Sequence, residues 1–335
     1  MILITGGAGF LGNAILQLLK DRKERIRALV LPRDPLARTI PEGVEVCEGD
    51  LNSETDLDRF FLQETDEPLT VIHCASLITM SMTPEEKTYR VNVEGAKKII
   101  DRCVKARAKL IYVSSVHAIP ELPHGEVMAE PRGTDSNNAV GYYAKTKAMA
   151  TALVMRARKE RGLCANIVYP SGISGPGDYA MHNLTQMMLE YDAGHIPVGI
   201  KGGYNFIDVR DVAGAIVRLV DLDLPGEDFV LSGEYITVME IFDLFYKETG
   251  IKKIRTTFPI WLVKLALPFL SLRDKIKNLK PVFSRYSLIT LKSNSLFNAG
   301  KARKMLGFKP RPIRETLRDT IRFLVKEGMM QAPKA

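Results

Sequence analysis

Residues Met1–Gly12 read MILITGGAGFLG, and this stretch decides the fold. Met1–Thr5 is an apolar run of strand length. The glycine-rich turn Gly6-Gly7-Ala8-Gly9 follows. From Gly12 to Lys20, Ala14, Ile15, Leu18 and Leu19 recur at helical spacing. Strand, glycine turn and helix form the context in which Gly7-x-Gly9-x-x-Gly12 reads as a dinucleotide fingerprint. Glycine adopts the backbone angles that such a turn needs. A missing Cβ lets a pyrophosphate approach the backbone, and the free N–H groups of the helix N-terminus stabilise its charge.

The same alternation continues outward. Ile26–Leu31, Val44–Cys47, Thr70–Cys74, Lys109–Ser114 and Ala165–Tyr169 read as strands, and Val93–Ala106 and Tyr142–Glu160 as helices. Apolar strands alternating with helices predict a doubly wound α/β fold, a parallel sheet covered on both faces. After Pro170 the pattern loosens into a Gly/Pro-rich loop, Ser171–Asp178, and a Met-rich helix near Asn183–Tyr191. A short strand at Asn205–Val209 and a helix from Arg210 to Val220 come next. The expected organisation is a Rossmann nucleotide-binding domain over 1–170 with a return near 205–220. Residues 171–330 then form most of a smaller C-terminal substrate domain.

The chain of 335 residues, 46% apolar and 26% charged, excludes a peptide hormone, a disulfide scaffold and a disordered protein. Cys47, Cys74, Cys103 and Cys164 contain no C-x-x-C spacing, so they are expected to be reduced thiols. No basic leader opens the chain and no apolar run reaches about 18 residues, so a cytoplasmic protein without a spanning helix is expected. No metal site is expected. The net charge of +8 is uneven: residues 251–311 carry 15 Lys and Arg against one acid, 15 − 1 = +14, leaving 8 − 14 = −6 elsewhere. That segment suits either an anionic partner or a solvated charged face. It holds no nucleic-acid-binding motif.

Tyr143 and Lys147 lie four residues apart at the start of a helix, so both side chains share one face. A phenol titrates near pH 10, too high for efficient proton transfer at neutral pH, and a neighbouring ammonium favours the phenolate. Such a pair moves a proton to or from an alcohol or ketone oxygen. Ser114 and Ser115 end the fifth strand, where ligands of open α/β sheets bind, and a hydroxyl there orients a substrate oxygen.

Taken together, these residues resemble the extended short-chain dehydrogenase/reductases over almost the whole chain. The turn also fits that superfamily's T-G-x-x-G-x-x-G register, Thr5-Gly6-x-x-Gly9-x-x-Gly12. The resemblance implies that Gly6, Gly9, Phe10, Leu11 and Gly12 hold the cofactor, with Asp50 and Leu51 at the adenine. The backbone of Cys74, Ala75 and Ser76 lines it, and Pro170, Gly172 and Ile173 flank the nicotinamide. It favours Ser115 over Ser114, gives Lys147 the nicotinamide ribose, and has Asn92 place a water or the lysine. It implies that Phe206–Ala213 lies beside the substrate cleft, and it implies a homodimer. The second strand ends Leu31-Pro32-Arg33-Asp34 without an acid at its tip. Arg33 favours NADP, while Asp34 keeps NAD open.

Dehydratases of this superfamily carry an Asp-Glu pair after the serine strand, where Val116-His117-Ala118 stands here. Sugar-nucleotide epimerases carry an Asn where Gly172 stands. The branch that remains resembles dihydroflavonol 4-reductases and 3β-hydroxysteroid dehydrogenases, and residues Lys301–Arg311 look like that branch's ending. This implies a bulky apolar small-molecule substrate, steroid-like or phenolic. The alternatives are a nucleotide-sugar epimerase and a non-catalytic nucleotide sensor. Gly141 and Thr151 depart from the branch's usual Pro and Glu, away from the expected chemistry. His73 reads as a core histidine; His117, following the serine strand, reads as structural or solvated, with contact to the substrate as the alternative. Asp208, Arg210 and Asp211 read as structural pairs. The apolar stretch Phe258–Leu272 reads as a lid helix or, within 258–280, as a peripheral membrane contact.

Overall fold

In the computed structural model, the described residues are 1–63, 66–196, 198–251, 253–265 and 285–331. Strand β1 (Ile2–Thr5) is buried along its whole length. It pairs in parallel with β2 (Ile26–Val30) on one side and with β4 (Thr70–His73) on the other. From β2 the sheet continues to β3 (Glu45–Glu48), and from β4 to β5 (Lys109–Val113) and β6 (Ala165–Pro170). A seventh strand, numbered β10 (Phe229–Leu231) in chain order, closes that side in parallel with β6. The order β10-β6-β5-β4-β1-β2-β3 reverses direction between β1 and β4, the position where doubly wound sheets bind ligands. The doubly wound parallel sheet read from the sequence is the fold of this chain.

Alternate residues of each strand serve opposite faces. Leu3, Val71 and Leu110 pack with α4 (Ala96–Lys105) and α5 (Tyr142–Arg161). Ile2, Ile4 and Ile72 pack with α1 (Phe10–Leu19) and α7 (Val209–Asp221). Strand β3 is the open edge, and its glutamates at both ends are exposed, which discourages further pairing.

The remaining strands lie outside the main sheet. β7 (Gly172–Ser174), β9 (Gly203–Asp208) and β11 (Glu234–Thr237) form a small sheet, and β8 (Gly199–Ile200) pairs with β12 (Thr257–Phe258). A third apolar cluster joins α6 (Asn183–Asp192), α8 (Val238–Thr249) and the helix Ile313–Lys326 through Leu184, Tyr191, Phe242 and Leu317. The rings of Tyr191 and Phe242 stack at 4.7 Å. Thr237 and Glu240 form a capping box that starts α8.

Asp208, Arg210 and Asp211 form structural pairs, as expected. Arg210 bridges Asp208 and Asp319 at 2.7 and 2.8 Å, and Arg311 grips Asp211 at 2.8 Å. These bonds tie α7 to the C-terminal helix. Part of the basic segment is therefore spent inside the molecule: besides Arg311, Lys301 pairs with Glu227 and Lys253 with Asp243.

Three local differences from the sequence reading have physical causes. Strand β7 lies in the expected loop, because three residues beginning with a glycine carry no periodic signal. The expected helix Val93–Ala106 is regular only over Ala96–Lys105, and Arg90–Gly95 before it winds as a π-helix, a wider turn often found at functional sites. Of the expected lid or membrane stretch, residues 266–280 lie outside the described residues. In the described part, Ile260 and Val263 are buried while Trp261 is 63% and Leu265 65% exposed. Among the described residues, no helix is long and apolar enough to cross a membrane.

Strand β10 is held by a part-buried clamp. Arg158 on α5 donates to both carboxylate oxygens of Asp228 at 2.7 and 2.8 Å, and Asp228 also accepts from the Ile167 N–H of β6. The pair is part-buried, so removing the carboxylate costs its charge-assisted hydrogen bonds, about 1.5 to 3 kcal/mol. Asp228→Ala is expected to lower stability by about that amount in a denaturant titration, and a change below about 1 kcal/mol would contradict the clamp.

Candidate active site

At the end of β1 the chain turns so tightly that three glycines are required by the protein's own packing. Gly6 has φ +72°, and a Cβ there would lie 2.9 Å from the Ala75 backbone. A Cβ on Gly7 would lie 2.7 Å from that of Ala28, and one on Gly12 would lie 2.1 Å from the Gly6 carbonyl oxygen. Gly9 differs: it is exposed, and a Cβ there would meet only the Gly6 oxygen, at 3.2 Å. Its missing side chain keeps a path open to the start of α1. No side chain caps α1 and no acid lies in its first turn, so this helix end suits a phosphate. Phe10 stacks its ring on His182 and Leu11 is buried, so these two offer backbone rather than side chain. The residues here fit a dinucleotide.

The other expected nucleotide residues lie on the same edge of the sheet. Thr5 Oγ1 sits 2.7 Å from His73 Nδ1 and accepts from the Ala75 N–H, which joins the ends of β1 and β4. His73 is the satisfied core histidine expected, and burial lowers its pKa to about 3. Burial raises the Cys74 thiol to about 12, so Cys74 is no nucleophile. Asp50 is exposed after β3, accepting from Asn52, while Leu51 beneath it is buried. Beyond β2, Leu31 is 56% exposed. Arg33 is exposed with φ +60°, and the Asp34 carboxylate accepts from the Leu36 N–H, starting a short 3₁₀ turn. Pro170 ends β6, and Gly172 and Ile173 lie in β7.

Helix α5 carries the catalytic candidates and is held at three points, two of them at the end of β5. Ser114 and Thr151 share a hydrogen bond of 2.6 Å, and Thr151 also donates to the Lys147 carbonyl. Asn92 donates to Thr146 at 3.0 Å and to the Leu77 carbonyl, and accepts from Leu77 N–H and Ser76 Oγ. Lys147 Nζ donates to the Val113 carbonyl at 2.5 Å and lies 4.9 Å over the Tyr112 ring. Ser114 is thus consumed by the helix, and Ser115 is the serine left beside Tyr143. Asn92 braces the chain after β4 against α5; the partner of Lys147 is a strand carbonyl.

The electrostatics differ from the expected lysine–phenol coupling. Burial raises Tyr143 to about 12, against a smaller downward effect of its hydrogen bond with Ser115. Lys147 is directed at β5, and burial lowers its own pKa to about 7. At neutral pH Tyr143 is therefore a protonated donor.

Sequence reading allowed His117 to reach a substrate but missed Tyr204 and Tyr286, which complete the wall facing Tyr143. Tyr204 on β9 hydrogen-bonds His117 Nε2 at 2.9 Å, and their rings stack at 5.7 Å. His117 meets Tyr143 edge-on at 6.2 Å and Tyr286 at 6.1 Å. The Tyr286 ring lies where a Cβ on Gly141 would be, 2.3 Å away. The departures at Gly141 and Thr151, expected to lie away from the chemistry, therefore shape the site: one seats Tyr286 and the other holds Ser114. A cavity of about 210 Å³ opens beside this wall, lined by His117, Tyr204, Val116, Met128, Ala144 and Phe297 among others.

A model of the NAD dependent epimerase/dehydratase family matches residues 2–232. The chain belongs to that family. It is 25% identical to sterol demethylase protein B of Methylococcus capsulatus, over 98% of this chain and 99% of the relative. It is 28% identical to 3beta-hydroxysteroid-dehydrogenase/decarboxylase isoform 1 of Arabidopsis thaliana, over 95% and 78%. The crystal structure of gox2253 superposes with a TM-score of 0.83 at 29% identity, covering 99% of both chains. This family member is an enzyme of the extended short-chain dehydrogenase/reductase type. Its general chemistry is NAD-dependent oxidoreduction on a small molecule.

Two glycine substitutions separate packing from binding. Gly12→Ala is expected to destabilise the fold by about 1 to 3 kcal/mol, because the new methyl collides with a carbonyl. Gly9→Ala is expected to keep the melting temperature and weaken NAD binding about tenfold in a fluorescence titration, about 1.4 kcal/mol. Equal melting losses in both would remove the special status of Gly9.

Proposed function

We propose that this enzyme transfers a hydride reversibly between a nicotinamide dinucleotide and a secondary alcohol or ketone on a bulky, apolar, sterol-like substrate. The observation that carries the reading is the convergence of Ser115, Tyr143 and Lys147 at the C-terminal end of β5. When bound, the cofactor supplies or accepts the hydride. The protein positions the reacting carbon and handles the proton. Tyr143, protonated through the neutral range, gives its proton to the oxygen of a ketone undergoing reduction. It takes the proton back from an alcohol undergoing oxidation. Ser115 orients that oxygen. Lys147, held by the Val113 carbonyl, serves the ribose of the cofactor, and Asn92 positions α5. The sterol names of two relatives that span almost the whole chain support the substrate class.

NADP(H) is the favoured cofactor within this reading. Arg33 stands exposed beyond β2, and the nearby Asp34 carboxylate is occupied by the Leu36 N–H. A guanidinium there suits a 2′-phosphate. Arg33→Ala is expected to raise the KM for NADPH about tenfold and leave that for NADH nearly unchanged, by analogy with the loss of one charge-assisted contact. Equal effects on both would return NAD to first place.

The central test follows nicotinamide absorbance with NADPH and NADH against ketosteroids, aromatic ketones and aldehydes. Tyr143→Phe is expected to lower kcat by roughly 10²- to 10⁴-fold with nucleotide affinity intact. Because burial holds the phenol near pH 12, kcat for alcohol oxidation is expected to climb from about pH 6 to about pH 9 as phenolate accumulates, while ketone reduction is not lost over that range. Undiminished turnover by Tyr143→Phe would refute the assignment. Tight nucleotide binding without net redox change would favour epimerisation.

A further inference from the structure

Four polar aromatic side chains meet where the substrate oxygen is placed by the preceding reading: Tyr143, His117, Tyr204 and Tyr286. The His117 ring lies 6.2, 5.7 and 6.1 Å from those of Tyr143, Tyr204 and Tyr286. Their hydrogen bonds do not close. Tyr204 is paired with His117, and Tyr143 with Ser115. The Tyr286 hydroxyl is buried, in a residue only 6% exposed, and has no partner among the described residues. Native structures leave few buried hydroxyls unpaired, and one left beside a catalytic group calls for an explanation.

Packing accounts for the ring but not for the hydroxyl. The ring lies against Gly141, at the N-terminus of α5, in space that any other residue would fill with a Cβ. It is also close enough to Tyr143 that a charge on one phenol hinders ionisation of the other. A phenylalanine would fill the same space without burying a polar atom.

The lone pairs of the reacting oxygen limit what Tyr286 can bind. A carbonyl oxygen has two, and Tyr143 and Ser115 take both. The Tyr286 proton needs a different acceptor. Burial lowers His117 to about 4, so the imidazole is neutral at neutral pH and the wall around Tyr286 carries no charge on its four rings. An uncharged oxygen suits it.

We propose that Tyr286 is a specificity-determining residue that donates a hydrogen bond to a second oxygen of the substrate, a hydroxyl or ketone close to the reacting carbon. The inference rests on the dehydrogenase reading and deepens it. The preferred substrate is a sterol-like alcohol oxygenated at two neighbouring positions, and Gly141 is the seat that brings the phenol there.

The test compares a 3β-hydroxysteroid with its 4-hydroxylated analogue in wild type, Tyr286→Phe and Tyr143→Phe. Wild type is expected to prefer the 4-hydroxylated probe about tenfold in kcat/KM, the worth of one neutral hydrogen bond. Tyr286→Phe is expected to lose that preference through KM, with kcat/KM falling about tenfold more on the 4-hydroxylated probe than on the plain steroid and melting temperature no lower. The same preference in both proteins would overturn the proposal. So would equal losses on both probes with a lower melting temperature, which mark a packing role. If Tyr143→Phe is inactive while Tyr286→Phe matches wild type, only this inference fails. If Tyr143→Phe keeps turnover, or wild type turns over neither probe, the underlying reading fails and this inference with it.

Discussion

Two parallel strands cannot be joined by a tight turn; the chain must cross back over the sheet, usually through a helix, before the next strand begins. Six parallel pairings build the central sheet of this protein, so all seven strands end at the same edge. That constraint gathers groups far apart in sequence. Thr5, Asp50, Cys74 and Ser115 all follow or end such strands. The reversal of strand order between β1 and β4 opens the crevice there. The tight glycine turn at Gly6 stands at that point, braced by the Ala75 backbone.

On that edge, polar bonds decide which groups remain free. Ser114 and Ser115 are neighbours of the same type, yet Thr151 occupies one and leaves the other to Tyr143. Asn92 is buried with its amide engaged, bracing the chain after β4 against α5. Lys147 donates a hydrogen bond to a strand carbonyl and burial lowers its own pKa, so in this state the ammonium is not what sets the phenol. Across the cleft, the Tyr204–His117 bond closes one pair and leaves Tyr286 open. A packed, nearly dry environment makes each of these pairings count, because an unpaired polar group there has no water to turn to.

Much of this was legible because it is local. A strand, a glycine turn and an apolar helix face are written within the first twenty residues, and period-two and helical patterns repeat through Tyr169. Tyr143 and Lys147 lie one helical turn apart, so their shared face follows from spacing alone. Where the signal was short or indirect, it failed. β7 has three residues, and β10 returns to the main sheet from a region without strong periodicity. In the wider winding at Arg90–Gly95, Asn92 bonds to partners 15 and 54 residues away, which no local pattern records.

The sequence by itself determined the parallel α/β sheet, the glycine turn after its first strand and the shared helical face of Tyr143 and Lys147, because each rests on periodicity, spacing or a glycine's backbone freedom. Only the tertiary structure decided that Thr151 holds Ser114, where the Lys147 ammonium points and what faces Tyr143. Those outcomes depend on contacts between distant segments: Gly141 meets Tyr286, and His117 meets Tyr204, across 145 and 87 positions of chain. No local pattern records such a meeting. It follows from which side chains the packed sheet and its flanking helices leave room for, and from which polar atoms that packing deprives of water.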